Sequence, residues 1–126
     1  MISYRLDHLV LTVQDVDQTC QFYQQVLGVA IITFGGDRRA LQLGAQKINL
    51  HAATAPFSPQ ARVPTPGAAD FCLLTATPLT EMMTRLQQLQ VPIIAGPIQR
   101  SGAQGPLLSI YIQDPDGNLI EIANAL

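Results

Sequence analysis

The stretch DHLVLTVQDVDQTCQFYQQVLG, residues 7–28, changes its apolar period halfway along. Over residues 7–13 the chain alternates, with His8, Val10 and Thr12 on one face and Leu9, Leu11 and Val13 on the other, the period of a strand. From residue 16 the period lengthens, and Val16, Cys20, Tyr23 and Leu27 form one stripe of a helix. Asp15 is placed to cap that helix with Gln18 reaching back, and Gly28 to end it. A strand that runs directly into a helix fixes the start of a β-α unit.

Working outward, VAIITF (29–34) reads as a strand, GGDRR (35–39) as a turn, and ALQL (40–43) and KINLHAA (47–53) as two more strands. The order is β-α-β-β-β, and it recurs. ADFCLLTA (69–76) opens the second copy. Thr77 is its expected N-cap, with Pro78 at the first helical position and LTEMMTRLQQLQ (79–90) as the helix. VPIIAGP (91–97), LLSIYI (107–112) and NLIEIA (118–123) supply the remaining strands. His8 and Asp70 stand 62 residues apart, as do Val29 and Val91. The helical stripes match better with a slip of one residue, Cys20 and Tyr23 against Met83 and Leu86. The expected organisation is a single domain over 1–126 in the α+β class, with module 1 at 4–53 and module 2 at 68–124. Residues 54–67, TAPFSPQARVPTPG, carry four prolines and read as an extended linker.

Composition narrows the function. The 126 residues are 48% hydrophobic and 13% charged, with a net charge of −2, which suits a globular domain of low surface charge. No basic run or stripe is present, so a nucleic-acid partner is not expected. No stretch has the length of a membrane span, and MISYRLDHLV lacks the charged lead and apolar core of a signal peptide. Two cysteines, Cys20 and Cys72, read as packing residues rather than a disulfide framework. A cytoplasmic protein without a membrane partner is the expectation.

A unit of this kind leaves one sheet face without a helix. The helix is expected on the Leu9, Leu11 and Val13 face, which leaves His8, Val10 and Thr12 to line a concave surface that two modules close into a cup. A ferredoxin-like pair of flat sheets with no site is the alternative. On the cup reading, KINLH ends module 1 with His51 and NLIE places Glu121 correspondingly in module 2, while the first strands open with His8 and Asp70. Taken alone, Glu121 in a strand more commonly faces water. Two imidazoles and two carboxylates together suit one divalent transition metal with open positions, whether Zn, Ni, Co, Mn or Fe. Tyr111, Arg39, Arg100, Phe34 and Asn49 lie in or beside strands that border the cup and are the expected substrate contacts. Arg38 reads as part of a solvated turn.

LDHLVLTVQDVDQTCQFYQQVLG, GAQKINLH and IYIQDPDGNLIEI together resemble the vicinal oxygen chelate superfamily, the glyoxalase/bleomycin resistance/dioxygenase proteins. The look is that of small glyoxalase domain-containing proteins of the type 5 subgroup. The resemblance covers almost the whole chain and implies paired βαβββ modules forming a curved mixed sheet cup. It implies metal ligands from the first and last strand of each module, which here are His8, His51, Asp70 and Glu121. Lactoylglutathione lyases carry His, Glu, His, Glu in that order. This chain carries His, His, Asp, Glu, which leaves a rearranged quartet or a His8/His51/Glu121 triad. The implied activity is a metal-dependent, glyoxalase-type lyase or isomerase acting on a small oxygen-chelating substrate, with Glu121 and Asp70 as candidate bases. An Fe(II) extradiol-type dioxygenase and a non-catalytic, bleomycin-resistance-like binder are the alternatives. A homodimer is implied as well.

Overall fold

The computed structural model describes residues 1–126, which form two compact units, Met1–Gly67 and Ala68–Leu126. Unit 1 contains β1 (His8–Val13), α1 (Val16–Leu27), β2 (Ala30–Phe34), β3 (Arg38–Leu43) and β4 (Gln46–Ala52). Unit 2 contains β5 (Asp70–Leu74), α2 (Leu79–Gln88), β6 (Ala95–Ser101), β7 (Pro106–Gln113) and β8 (Leu119–Ala125). The tandem βαβββ plan is confirmed. Each unit holds one four-stranded mixed sheet, ordered β1-β4-β3-β2 and β5-β8-β7-β6, in which the first pair is parallel and the others antiparallel. No helix is long and apolar enough to cross a membrane.

In unit 1 the period-two alternation sends Leu11, Val13, Leu41, Ile48 and Leu50 into the core beneath α1, whose Cys20, Tyr23 and Val26 meet them. Val26, not Leu27, completes the buried stripe. The Asp15 side chain accepts from the Gln18 N–H, and Gly28 ends the helix at φ 68°, a left-handed conformation that glycine adopts without a Cβ clash.

In unit 2, Ile110, Ile112, Ile120 and Ile122 form the equivalent core with Leu79, Met82 and Leu86 of α2. Two expectations change here. Thr77 does not cap α2. Pro78 occupies the cap position without a side-chain bond, and Asn124 of β8 does the work: its Oδ1 accepts from the Leu79 N–H at 2.9 Å. Its Nδ2 donates to the Thr75 and Thr77 carbonyls at 2.8 and 2.9 Å. The strand expected at 91–97 is shifted to Ala95–Ser101. The Val91 N–H bonds the Leu86 carbonyl and Gln90 takes a positive φ of 59°, so the chain leaving the helix is still turning at residue 91.

The turn before β8 is built on Asp114. Its Oδ1 accepts from the N–H groups of Asp116 and Asn118, and its Oδ2 from Asn118 Nδ2. Asn118 Oδ1 in turn accepts from the Ala69 N–H, and the Leu119 N–H reaches the Ala69 carbonyl. The entry to β8 is thereby locked to the entry to β5, fixing the register that sets Glu121 beside Cys72.

Candidate functional site

Each unit presents one sheet face without a helix. In unit 1 that face carries His8, Val10 and Thr12 of β1, Lys47, Asn49 and His51 of β4, Arg38 and Ala40 of β3, and Phe34 of β2. Four of the expected residues, His8, His51, Asn49 and Phe34, share it. Arg39 does not. It registers with Leu50 on the helix side and forms a 2.6 Å ion pair with Asp17 of α1, which also pushes its guanidinium pKa up. The adjacent Arg38, expected in a solvated turn, is the arginine on the open face. Its guanidinium lies 4.6 Å from the Phe34 ring centroid and 4.3 Å from that of Phe57, while Lys47 Nζ sits 3.6 Å from Phe34. Phe57, from the segment read as a linker, also meets the His51 ring at 5.3 Å.

The imidazoles are differently prepared. His8 is exposed, and its Nδ1 lies 2.8 Å from Asp7 Oδ2, a contact that holds the Asp7 carboxyl below its usual range. In its neutral form an imidazole donating from Nδ1 to a carboxylate presents Nε2 as a lone pair. His51 is held below the usual histidine range, first by burial and then by Arg38. Its Nε2 is buried without a hydrogen-bond partner, as is Oδ1 of Asn49, a residue only 5% exposed. Two orphaned polar atoms therefore sit on the open side of one strand, at a cost in free energy unless a ligand satisfies them.

In unit 2 the open face carries Asp70, Cys72 and Leu74 of β5, Glu121 and Ala123 of β8, Ser109 and Tyr111 of β7, and Ile98 and Arg100 of β6. Asp70, Glu121, Tyr111 and Arg100 were expected there. Glu121 accepts a 2.6 Å hydrogen bond from Ser109 Oγ, itself fully buried. Beside Glu121, the thiol of Cys72, an exposed residue, is pushed up to about 11, chiefly by partial desolvation, then by the carboxylate's charge and hydrogen bond. Arg100 Nε donates to Tyr111 Oη at 2.8 Å. A cleft of about 750 Å3 opens along this face, lined by Cys72, Leu74, Arg100, the 101–107 segment, Glu121, Ala125 and Leu126. Sequence reasoning missed Cys72 and Ser109; the alternation of β5 and β7 was the available signal.

The register corrects one correspondence. Val10 pairs with Asn49 and Thr12 with His51, whereas Cys72 pairs with Glu121 and Leu74 with Ala123. Since His8 matches Asp70 as first residue of each unit's first strand, the counterpart of Glu121 is Asn49, and His51 lies one step beyond. His51 is registered four residues along from His8, about 13 Å by strand rise, with both side chains standing up from the sheet. No three His, Cys, Asp or Glu side chains gather within either unit.

With that geometry in place, the relatives become informative. The glyoxalase/bleomycin resistance protein/dioxygenase superfamily profile matches residues 5–122. The chain is 52% identical over 123 residues to the virulence protein STM3117 of Salmonella typhimurium, spanning 98% of this chain and 85% of that protein. The crystal structure of STM3117 superposes with a TM-score of 0.97, covering 100% of both chains at 51% identity. A glyoxalase domain-containing protein of Mycosarcoma maydis, RDO1, is 45% identical over 119 residues, 94% of this chain and 67% of that one. Two structures share the fold at 24% identity. The lactoylglutathione lyase of Agrobacterium tumefaciens has a TM-score of 0.73, covering 98% of this chain and 95% of its own. A fosfomycin resistance protein of Listeria monocytogenes, complexed with Mn(II), has a TM-score of 0.66, covering 100% and 93%. The chain belongs to the glyoxalase/bleomycin resistance protein/dioxygenase superfamily.

Proposed function

We propose that the protein is a divalent-metal-dependent enzyme of the glyoxalase type, acting on a small substrate that chelates through two oxygens. The observation that carries the reading is Glu121: a carboxylate on a helix-free sheet face, one oxygen fixed by Ser109, at the register position whose partner in unit 1 is the orphaned Asn49. His8, Asp70 and Glu121 would hold the metal, with Asn49 Oδ1 as a fourth donor. This nitrogen-and-oxygen set suits Zn, Ni, Co, Mn or Fe(II). A Mn(II)-complexed protein among the shared folds is compatible with that choice.

Asp7 would fix the tautomer of His8 so that Nε2 faces the ion, and Ser109 would aim Glu121. When bound, the metal supplies Lewis acidity that stabilises negative charge on a substrate oxygen. Glu121 is the group to take and return a proton at the substrate carbon beside that oxygen. His51, a step further along β4, belongs with Phe57 and Arg38 on the substrate side rather than in the ligand set.

Each open face exposes apolar side chains, Val10 at 43% and Leu74 at 65%. A homodimer in which a second copy covers these faces is part of the proposal. A second reading, binding without turnover, draws on the Phe34–Arg38–Phe57 stack, which suits a planar ligand.

Elemental analysis and light scattering of the purified protein, beside His8→Ala, Asn49→Ala, His51→Ala and Glu121→Ala, test the reading. Stoichiometric metal that is lost with His8 or Glu121 and kept with His51 is expected, in a dimer. A parent that takes up no Ni, Zn, Mn or Fe(II) refutes the enzyme and leaves the binder.

A further inference from the structure

Unit 2 has two cationic side chains, Arg85 on α2 and Arg100 on β6. Arg100 takes part in neither the His8–Asp7 nor the Arg39–Asp17 ion pair, and its contacts are with the phenol of Tyr111. It is not left loose. Its Nε donates to Tyr111 Oη, and its guanidinium carbon lies 5.6 Å from the Tyr111 ring centroid. The long side chain lines the cleft and is held at its inner nitrogen, a bond that does not use the two outer nitrogens, which can grip a carboxylate end-on.

The rest of the cleft has a different character. Leu74, Ala103, Pro106, Leu107 and Ala125 give it apolar walls, and Glu121 with Cys72 lies along the same lining. The wall after β6 is firmly built. The Gly102 N–H bonds the Gly105 carbonyl at 2.7 Å, and a Cβ on Gly102 would come within 2.8 Å of Leu107 Cγ, so the hairpin is packed down onto the strand. Tyr111 lies directly across from Glu121 in the β7–β8 register, which sets the arginine anchor and the reacting carboxylate on either side of one tyrosine. The volume of about 750 Å3 falls in the range of small-molecule sites.

We infer that the substrate is a small organic acid with an apolar chain, its carboxylate clamped by Arg100 and its oxygenated carbons lying at Glu121. Tyr111 is a positioning residue that holds Arg100 through Nε. The placement of the oxygenated end rests on the proposed reaction site. The carboxylate clamp does not, because it requires no metal.

The test is therefore run on full-length protein stripped with EDTA. Isothermal titration calorimetry measures hexanoate and hexan-1-ol against the parent, Arg100→Gln, Arg100→Lys and Tyr111→Phe, with circular dichroism confirming that each variant is folded. Hexanoate is expected to bind the parent at least tenfold more tightly than hexan-1-ol does. Arg100→Gln should lose that advantage, Arg100→Lys should recover part of it, and Tyr111→Phe should fall between. Hexan-1-ol should bind all four alike. Equal hexanoate affinity in parent and Arg100→Gln overturns the inference, as does a parent that binds hexanoate no better than the alcohol or not at all. Metal uptake is titrated separately on the same parent. Metal binding without hexanoate binding sinks only the clamp, and hexanoate binding without metal sinks only the metal site.

Discussion

Replacing Asn124 by alanine should destabilise the protein far more than a part-buried side chain near the C-terminus would suggest. Asn124 makes three hydrogen bonds of 2.8–2.9 Å: one accepted from the first N–H of α2, two donated to the carbonyls of Thr75 and Thr77. Each is worth about 1 kcal/mol net, and the lost cap falls in the same range. Water can reach some of the vacated groups, so the sum is about 2–3 kcal/mol. For a chain of this length that corresponds to a fall in Tm of roughly 6–12 °C. Urea denaturation followed by circular dichroism measures it, with Asn124→Asp alongside. Aspartate keeps the acceptor for the Leu79 N–H but loses both donors, so its cost should lie between parent and alanine. A loss below about 0.5 kcal/mol for alanine would refute the view that β8 caps α2 through this side chain.

Other expectations follow from single contacts. Gly96 has φ +97°, and a Cβ there would meet the Ser109 carbonyl oxygen at 2.4 Å and Ile110 Cα at 2.9 Å. Gly96→Ala should cost about 3 kcal/mol or more in denaturation, whereas Gly36→Ala, also at positive φ but in open space, should cost about 1 kcal/mol. Alkylation of Cys72 by iodoacetamide in EDTA, read by peptide mass spectrometry, should run roughly a hundredfold slower at pH 8 than for an ordinary cysteine. A thiol at about 11 rather than 9.0 holds that much less thiolate, and the rate should climb with pH until about 11. Glu121→Gln removes the neighbouring charge and should speed the reaction; an unchanged rate would contradict the contact. Asp7→Asn, assayed by competition with a metal indicator, should weaken metal binding by about 10–100-fold, while His8→Ala should abolish it.

The sequence disclosed the features that are local. The first helix is readable because Asp15, Gln18 and Gly28 lie within its own ends. The second helix is readable from its own residues too, but its cap is not, because the cap comes from Asn124, 45 residues beyond Leu79. Alternation assigns faces within a strand, so His8, Asn49, His51, Asp70 and Glu121 were all placed on the open side. It does not fix register between strands, which depends on pairing and on turns such as that at Asp114. That is why His51 read as the counterpart of Glu121 when Asn49 occupies that place. Arg38 and Arg39 were exchanged for a related reason. GGDRR reads as a turn, and only when β3 begins at Arg38 is the parity of the two arginines settled. Phe57 was unreadable because its contacts with Arg38 and His51 depend on the path of a segment without periodicity.

The separation of the two faces of each sheet has a consequence for how such a chain can change over generations. The instructions for folding occupy one parity of the strands: Leu11, Val13, Ile48 and Leu50 in unit 1, Ile110, Ile112, Ile120 and Ile122 in unit 2. The residues of the proposed site occupy the other. A mutation at 8, 49, 70, 72 or 121 alters what the surface can bind without entering the layer beneath the helices. The two units already differ in this way, one bearing His8 and Asn49 where the other bears Asp70 and Glu121 on the same scaffold. Selection can thus try new reagents on an unchanged frame, and the repeated unit gives it two surfaces to edit independently.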